Sequence, residues 1–209
     1  MAAKFARSED FKTPSCNVSF AQNLFKARSQ SGGKPKFGAT LIFKNKDRPA
    51  LEKKVGALIV EQWGDKGLDR AKKGLIKSPF LAGDGKEARN KETGDLHPGM
   101  GPDVFFIRVS ANEDRPPVVR YLDPNIPATP EDVYSGCEGF AVINGFCWHN
   151  AENGDGVSFG IQYFQKTGEG ERLGGSGGID PEKWYEKIED TGEAPEETQG
   201  GEGAGGLFG

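Results

Sequence analysis

Residues 136–150 read GCEGFAVINGFCWHN and hold two of the chain's three cysteines and one of its two histidines. Two chemistries compete for this stretch: a reactive or metal-binding centre at Cys137, Cys147 and His149, or a strand whose rings matter more than its sulfur. A structural zinc site takes four Cys/His ligands, commonly in close pairs. Here Cys147 and His149 are close, Cys137 lies ten residues before Cys147, and the remaining candidates are Cys16 and His97. No nucleophile signature surrounds either cysteine, and a free cysteine is ordinarily a small buried hydrophobe. Period-two parity accounts for more of the stretch. Ala141, Ile143, Gly145 and Cys147 share one face and suit a barrel interior. Phe140, Val142, Asn144, Phe146 and Trp148 share the other, and three rings beside an amide make an odd solvent face. That face either packs beneath a helix or loops, or it stacks unpaired bases, each worth about 1–3 kcal/mol. His149 ends the strand as a groove-edge contact.

Working outward, GVSFGIQYFQK (156–166) forms a hairpin with this strand across the turn AENGD. Val157, Phe159 and Ile161 read as core. Phe164 and Lys166 extend the aromatic platform, unless a bulge swaps Tyr163 for Phe164. Upstream, CNVSFAQNLF (16–25), FGATLIFK (37–44), VFFIRVS (104–110) and VVRYL (118–122) read as strands. Asp47 as N-cap and Pro49 in the first turn open a helix that runs to about Trp63, with an apolar stripe of Leu51, Val55, Leu58 and Ile59. Residues 82–103 are Gly/Pro-rich and charged, a loop length that signals function or disorder. The chain is therefore mainly β with one main helix. The expected fold is an OB-fold-type Greek-key β-barrel with extended loops and a disordered acidic C-terminal tail; a β-sandwich with an inserted helix is the competitor. The expected divisions are a flexible N-terminus over 1–13, a binding domain over 14–176 and an acidic, Gly-rich tail over 177–209.

Charge is distributed unevenly. The formal net charge of −4 hides 20 Lys/Arg against 9 Asp/Glu in residues 1–91, and 2 against 9 in residues 180–209. A basic half beside an acidic end suits a protein that binds polyanions and regulates that binding. Lys34, Lys36, Lys44, Lys46 and Arg48 bracket the second strand; Lys72, Lys73, Lys77, Lys86, Arg89 and Lys91 populate the helix-to-loop region. Clustered cations of this kind contact backbone phosphates, with an affinity that falls steeply as salt rises. The carboxylates Asp103, Asp123, Glu138 and Asp155 show no motif spacing, and no glycine-rich segment matches a phosphate-binding loop. The sequence thus carries no catalytic signature and implies no cofactor and no metal. Mean hydropathy is −0.61, and no run approaches the roughly 18 apolar residues of a membrane span. The segment MAAKFARSEDFK lacks the apolar core of a secretory signal, and the cysteines do not form a disulfide framework. A reducing cytoplasm with free thiols is expected.

The run GCEGFAVINGFCWHN…GVSFGIQYFQKTGEGERLGG, preceded by VSFAQNLF and DGKEARNK, resembles the bacteriophage single-stranded-DNA-binding proteins once known only as a domain of unknown function. The likeness covers most of residues 14–176. It implies an OB fold, sequence-nonspecific binding of single-stranded DNA in phage replication and recombination, and residence in the host cytoplasm. Interior positions would be Cys16, Val18, Phe20, Ala141, Ile143 and Cys147, and the DNA face Phe140, Asn144, Phe146 and Trp148. Glu196, Glu197, Glu202, Leu207 and Phe208 would form a tail that restrains binding and docks replication or recombination proteins. In one departure, Gly209 follows Phe208, where such tails typically end on phenylalanine. A homodimer is compatible with this reading. The alternatives from other classes are a metal-dependent nucleic-acid enzyme and a structural phage assembly protein.

Overall fold

Alternation in four long apolar stretches dictates a β scaffold, and the strands close on one another. The computed structural model describes residues 5–29 and 32–174, and a compact unit ends at Gly174. In chain order the elements are β1 (Phe11–Lys12), β2 (Cys16–Ser19), β3 (Lys36–Lys44), α1 (Arg48–Trp63), α2 (Asp65–Lys72), β4 (Ile76–Lys77), β5 (Leu81–Ala82), β6 (Val104–Asn112), β7 (Val118–Arg120), β8 (Glu138–Asn150) and β9 (Gly154–Gly168). The ring runs β2–β3–β6–β9–β8 and returns to β2. All of its pairings are antiparallel except β6–β9, which is parallel and joins only Val109 to Phe159 and Ser110 to Gly160. A Greek-key ring of five strands with one such parallel closure is the oligonucleotide/oligosaccharide-binding (OB) barrel. Expectations on residues 177–209 lie outside the described residues.

Parity fills the barrel as expected: Ala141, Ile143 and Cys147 of β8 and Val157, Phe159 and Ile161 of β9 are all buried. Phe43 stacks on Phe105 at 5.3 Å, and Phe80 meets both Phe105 and Phe159 edge-on at 6.0 Å. The helix occupies the expected span, but Asp47 makes no side-chain cap bond and sits in a 3₁₀ turn, Asn45–Asp47. Leu51, Val55, Leu58 and Ile59 of α1 are buried, each contributing about 1.5–3 kcal/mol through apolar burial. Leu58 approaches β8 where Gly145 lacks a side chain; a Cβ there would lie 2.9 Å from Leu58 Cδ2.

Three departures from the sequence expectations shape the surface. First, β2 ends at Ser19, and Phe20 adopts a left-handed conformation (φ 57°), the one such non-glycine residue among those described. Phe20 is therefore not interior but 51% exposed. Second, the register of β9 against β8 shifts between Val142 and Ile143, leaving Gln162 without a partner opposite. This bulge exchanges the faces of the rest of β9, so the alternative with Tyr163 outside and Phe164 inside is the one realised. Third, residues 5–13, expected to be flexible, pair along β8: Ser8 N–H donates to Gly145 O, Cys147 N–H to Ala6 O, and Phe11 and Lys12 sit opposite Ile143 and Val142. The long 82–103 segment is also ordered, packing Ala88, Leu96 and Met100 on the outward-facing Ile42 and Phe106.

Candidate nucleic-acid interface

The outward residues of β3 and β6 form the floor of a groove. Thr40 faces Arg108, Gly38 faces Ser110, and Lys36 faces Asn112 in the antiparallel register. The 82–103 segment makes one wall with Glu87, Lys91, His97 and Met100; the β2–β3 connection makes another with Phe20, Asn23, Arg28 and Lys34. Ser158 and Phe159 carry the lining onto β9, and the groove encloses about 920 Å³. An adjoining hollow of about 520 Å³ shares Glu87, Lys91, His97 and Arg108 and adds Lys86, Arg89 and Asn90. Arg28, Lys34, Lys36, Lys86, Arg89, Lys91 and Arg108 thus face a single carboxylate, Glu87, which accepts from Arg108 at 3.3 Å.

Phe20 stands in the wall beside this cationic floor in a strained backbone conformation. A bulky residue in the left-handed region costs about 1–3 kcal/mol, and here it turns the ring outward, edge-on to His97 at 6.1 Å. The Arg108 guanidinium lies over Phe106 at 5.8 Å. An exposed ring beside planar cations offers stacking for a base and charge for its phosphate.

Of the residues expected at the interface, Lys36, Lys86 and Arg89 line the groove system. Lys44 and Lys46 are exposed at the other end of β3. Lys72 and Lys73 are exposed at the end of α2, and Lys77 donates to Asn153 at 2.9 Å near the β8–β9 turn. Phe140, Phe146 and Trp148 are half-buried on the outer face of β8. Lys12 Nζ sits 3.7 Å above the Phe140 ring, whose other neighbour is Tyr163 at 6.1 Å. Trp148 lies against Gly156, where a Cβ would come 2.2 Å from its ring, and its Nε1–H donates to Ser158 Oγ at 2.9 Å. Three expectations are corrected. Asn144 is 2% exposed because Arg7 and Asp10 cover it. The bulge puts Phe164 in the core at 0% exposure. It also encloses Lys166, which donates to Asp132 O at 2.9 Å and pairs with Glu169 between the rings of Tyr121 and Tyr134. Burial works against the charge of Lys166, but the Glu169 carboxylate outweighs it and raises the ammonium pKa.

The reactive-centre reading of the opening stretch does not survive the burial of its sulfurs. Cys16, Cys137 and Cys147 are all buried. Burial pushes the thiols of Cys137 and Cys147 up to about 11 and that of Cys16 higher still, so none is a thiolate nucleophile at neutral pH. His149 instead pairs through Nδ1 with Asp155 at 2.8 Å, and Arg70 takes the other carboxylate oxygen. Burial opposes ionisation of Asp155, yet these two bonds lower its pKa below the ordinary value. Among the described residues no three His, Cys, Asp or Glu side chains cluster as metal ligands, and no helix is long and apolar enough to cross a membrane.

Sequence reasoning missed Phe20, His97, Arg28 and Arg108 as groove residues. Arg108 had a legible signal, being the one charge in VFFIRVS on the face opposite Phe105, Ile107 and Val109. Phe20 and His97 had none, since a left-handed strand end and a loop folded back on the sheet are tertiary facts.

A five-stranded barrel of this topology, with a basic, aromatic-edged groove over its second and third strands, has the form of an OB-fold nucleic-acid-binding domain, whose ligand face lies there. The chain belongs to the phage family described as Enterobacter phage Enc34, ssDNA-binding protein, whose model matches residues 10–195. That family binds DNA and is not one of enzymes. Three solved structures of the bacteriophage Enc34 single-stranded DNA-binding protein share the fold. The complex with ssDNA superposes with a TM-score of 0.55 at 17% identity, covering 83% of this chain and 100% of that one. The C-terminal truncation gives 0.54 at 18% identity over 82% and 99%, and the protein alone 0.53 at 17% over 88% and 100%. No curated protein matches the sequence significantly.

Proposed function

We propose that this chain binds single-stranded DNA without sequence preference, in the groove over β3 and β6, during phage replication and recombination in the host cytoplasm. The observation that carries this reading is the groove's composition: an exposed, strained Phe20 beside cations opposed by one carboxylate. Rings stack on any base, and lysines and arginines follow phosphates, so neither selects sequence. Tryptophan fluorescence titrated with oligo-dT at two salt concentrations tests the reading. Quenching is expected, with affinity falling steeply as salt rises. Duplex DNA bound as tightly as the single strand would overturn it.

The acidic end adds regulation. Its net charge complements the groove, and Glu196, Glu197 and Glu202 before Leu207–Phe208 suit a segment that competes with DNA and docks replication proteins. Removing residues 190–209 is expected to raise DNA affinity, most at low salt. Unchanged affinity would reduce the segment to a solubiliser.

A further inference from the structure

The N-terminal segment brings one more cation to the groove's β9 edge. Arg7 sits opposite Phe146 of β8, and the backbone on either side of it is tied down: Cys147 N–H donates to Ala6 O and Ser8 N–H to Gly145 O. From there the side chain reaches across the outer face of the barrel. Its Nε and Nη2 both donate to Asn144 Oδ1, at 3.1 and 3.0 Å, and Asn144 Nδ2 donates to Asp10 Oδ1 at 2.8 Å. Asn144 is 2% exposed, so a buried amide fixes the guanidinium. Among the described residues no carboxylate lies within ion-pair distance of Arg7, and Nη1 makes no hydrogen bond.

The guanidinium lies beside Gly160, where a Cβ would come 3.6 Å from Nη2 and 2.8 Å from Asn144 Oδ1. Gly160 is opposite Ser110 of β6, and Ser110 and Ser158 both line the groove. Arg7 therefore stands at the groove's margin, across the floor from Phe20 and the 82–103 wall, and Trp148 reaches Ser158 from the same side. A guanidinium already oriented by a neutral amide keeps its charge and spare N–H donors for a phosphate, and it loses little side-chain entropy on binding one.

We infer that Arg7 is a phosphate-binding residue at the groove's β9 edge and that Asn144 and Asp10 are its positioning residues. This rests on the proposed function. The test compares oligo-dT affinity across a salt series for the full chain and for R7Q, R7K, N144A, F20A and R108A, with thermal melting of each. R7Q leaves the backbone bonds on either side of residue 7 intact and removes the charge together with the guanidinium's bonds to Asn144. It is expected to bind several-fold more weakly and to lower the salt slope by about one. R7K should hold the slope yet bind more weakly, because an ammonium lacks the planar fork. N144A should weaken binding while the slope stays that of the full chain. R7Q with unchanged affinity and slope, while F20A and R108A lose binding, would overturn the inference and leave the groove standing. The same holds if R7Q melts lower but keeps its slope. If F20A and R108A also bind normally, the groove reading itself fails.

Discussion

The β3–β6 face and the outer face of the β8–β9 hairpin are alike in composition and unlike in what their groups have left to give. Both carry rings and cations. On the hairpin, Phe140 already has Lys12 above it and Tyr163 beside it, and Trp148 lies against Gly156 and donates to Ser158. On the β3–β6 face, Phe20 is 51% exposed with His97 as its one aromatic neighbour among the described residues, and the cations outnumber their carboxylates. A ring satisfied within the fold is packing, whereas a ring held out at the cost of strain is available to a ligand. Composition locates such faces; the partners each group has already taken separate them.

The sharpest way to break this comparison is to remove one ring from each face. F20A should cost about 1–3 kcal/mol of DNA binding, roughly five- to 150-fold, through lost stacking. F140A should change affinity less than about twofold in the same fluorescence titration, its ring being already occupied. A reversal would move the interface to the hairpin. The next effect is electrostatic: R108A should weaken binding several-fold and reduce the slope of log affinity against log salt by about one. An unchanged slope would mean that Glu87 neutralises Arg108 in the free and bound states alike. Third, W148F should abolish most of the DNA-induced quenching while costing less affinity than F20A, since Trp148 meets the groove only through Ser158. Quenching that persists would assign the signal to another tryptophan.

The smallest expected effect is on stability, at the hairpin's turn. The pKa of Asp155 is lower in the fold than its ordinary value of 3.8. Its bonds to His149 and Arg70 therefore contribute stability that is present above that value and is lost as pH falls through the lower, folded value. D155N should lower the melting temperature at pH 7 and converge with the unmodified chain under strongly acidic conditions. An equal difference at both pH values would show that the carboxylate's charge is not what holds the turn.

Much of the fold was legible, because period-two and helical patterns speak about faces and faces decide cores. Ala141, Ile143 and Cys147 went inside as parity required, and Leu51, Val55, Leu58 and Ile59 formed the buried stripe. The failures were of another kind. One unpaired residue, Gln162, inverted the sides of Phe164 and Lys166, and alternation alone cannot say whether a bulge is used. The groove eluded the sequence for a different reason. Lys36, His97 and Arg108 meet only because β3 pairs with β6 and the 82–103 segment folds back onto Ile42 and Phe106. Asn144 sat on the face expected for it, yet a segment that reads as a flexible leader covers it.

The parallel contact that closes the barrel joins β6 to β9 through just two residue pairs, and the groove's lining crosses it from Ser110 to Ser158. A strand of DNA lying there would act as a suture over one of the ring's two narrowest joints, the other being β2 against β8. Occupancy would then slow opening of that joint first, so amide exchange at Val109, Ser110 and Gly160 would register binding before the rest of the barrel did. Ligand in excess of its dissociation constant would raise the melting temperature by mass action. Of the barrel's two narrow joints, the one between β6 and β9 is thus the one its ligand is best placed to reinforce.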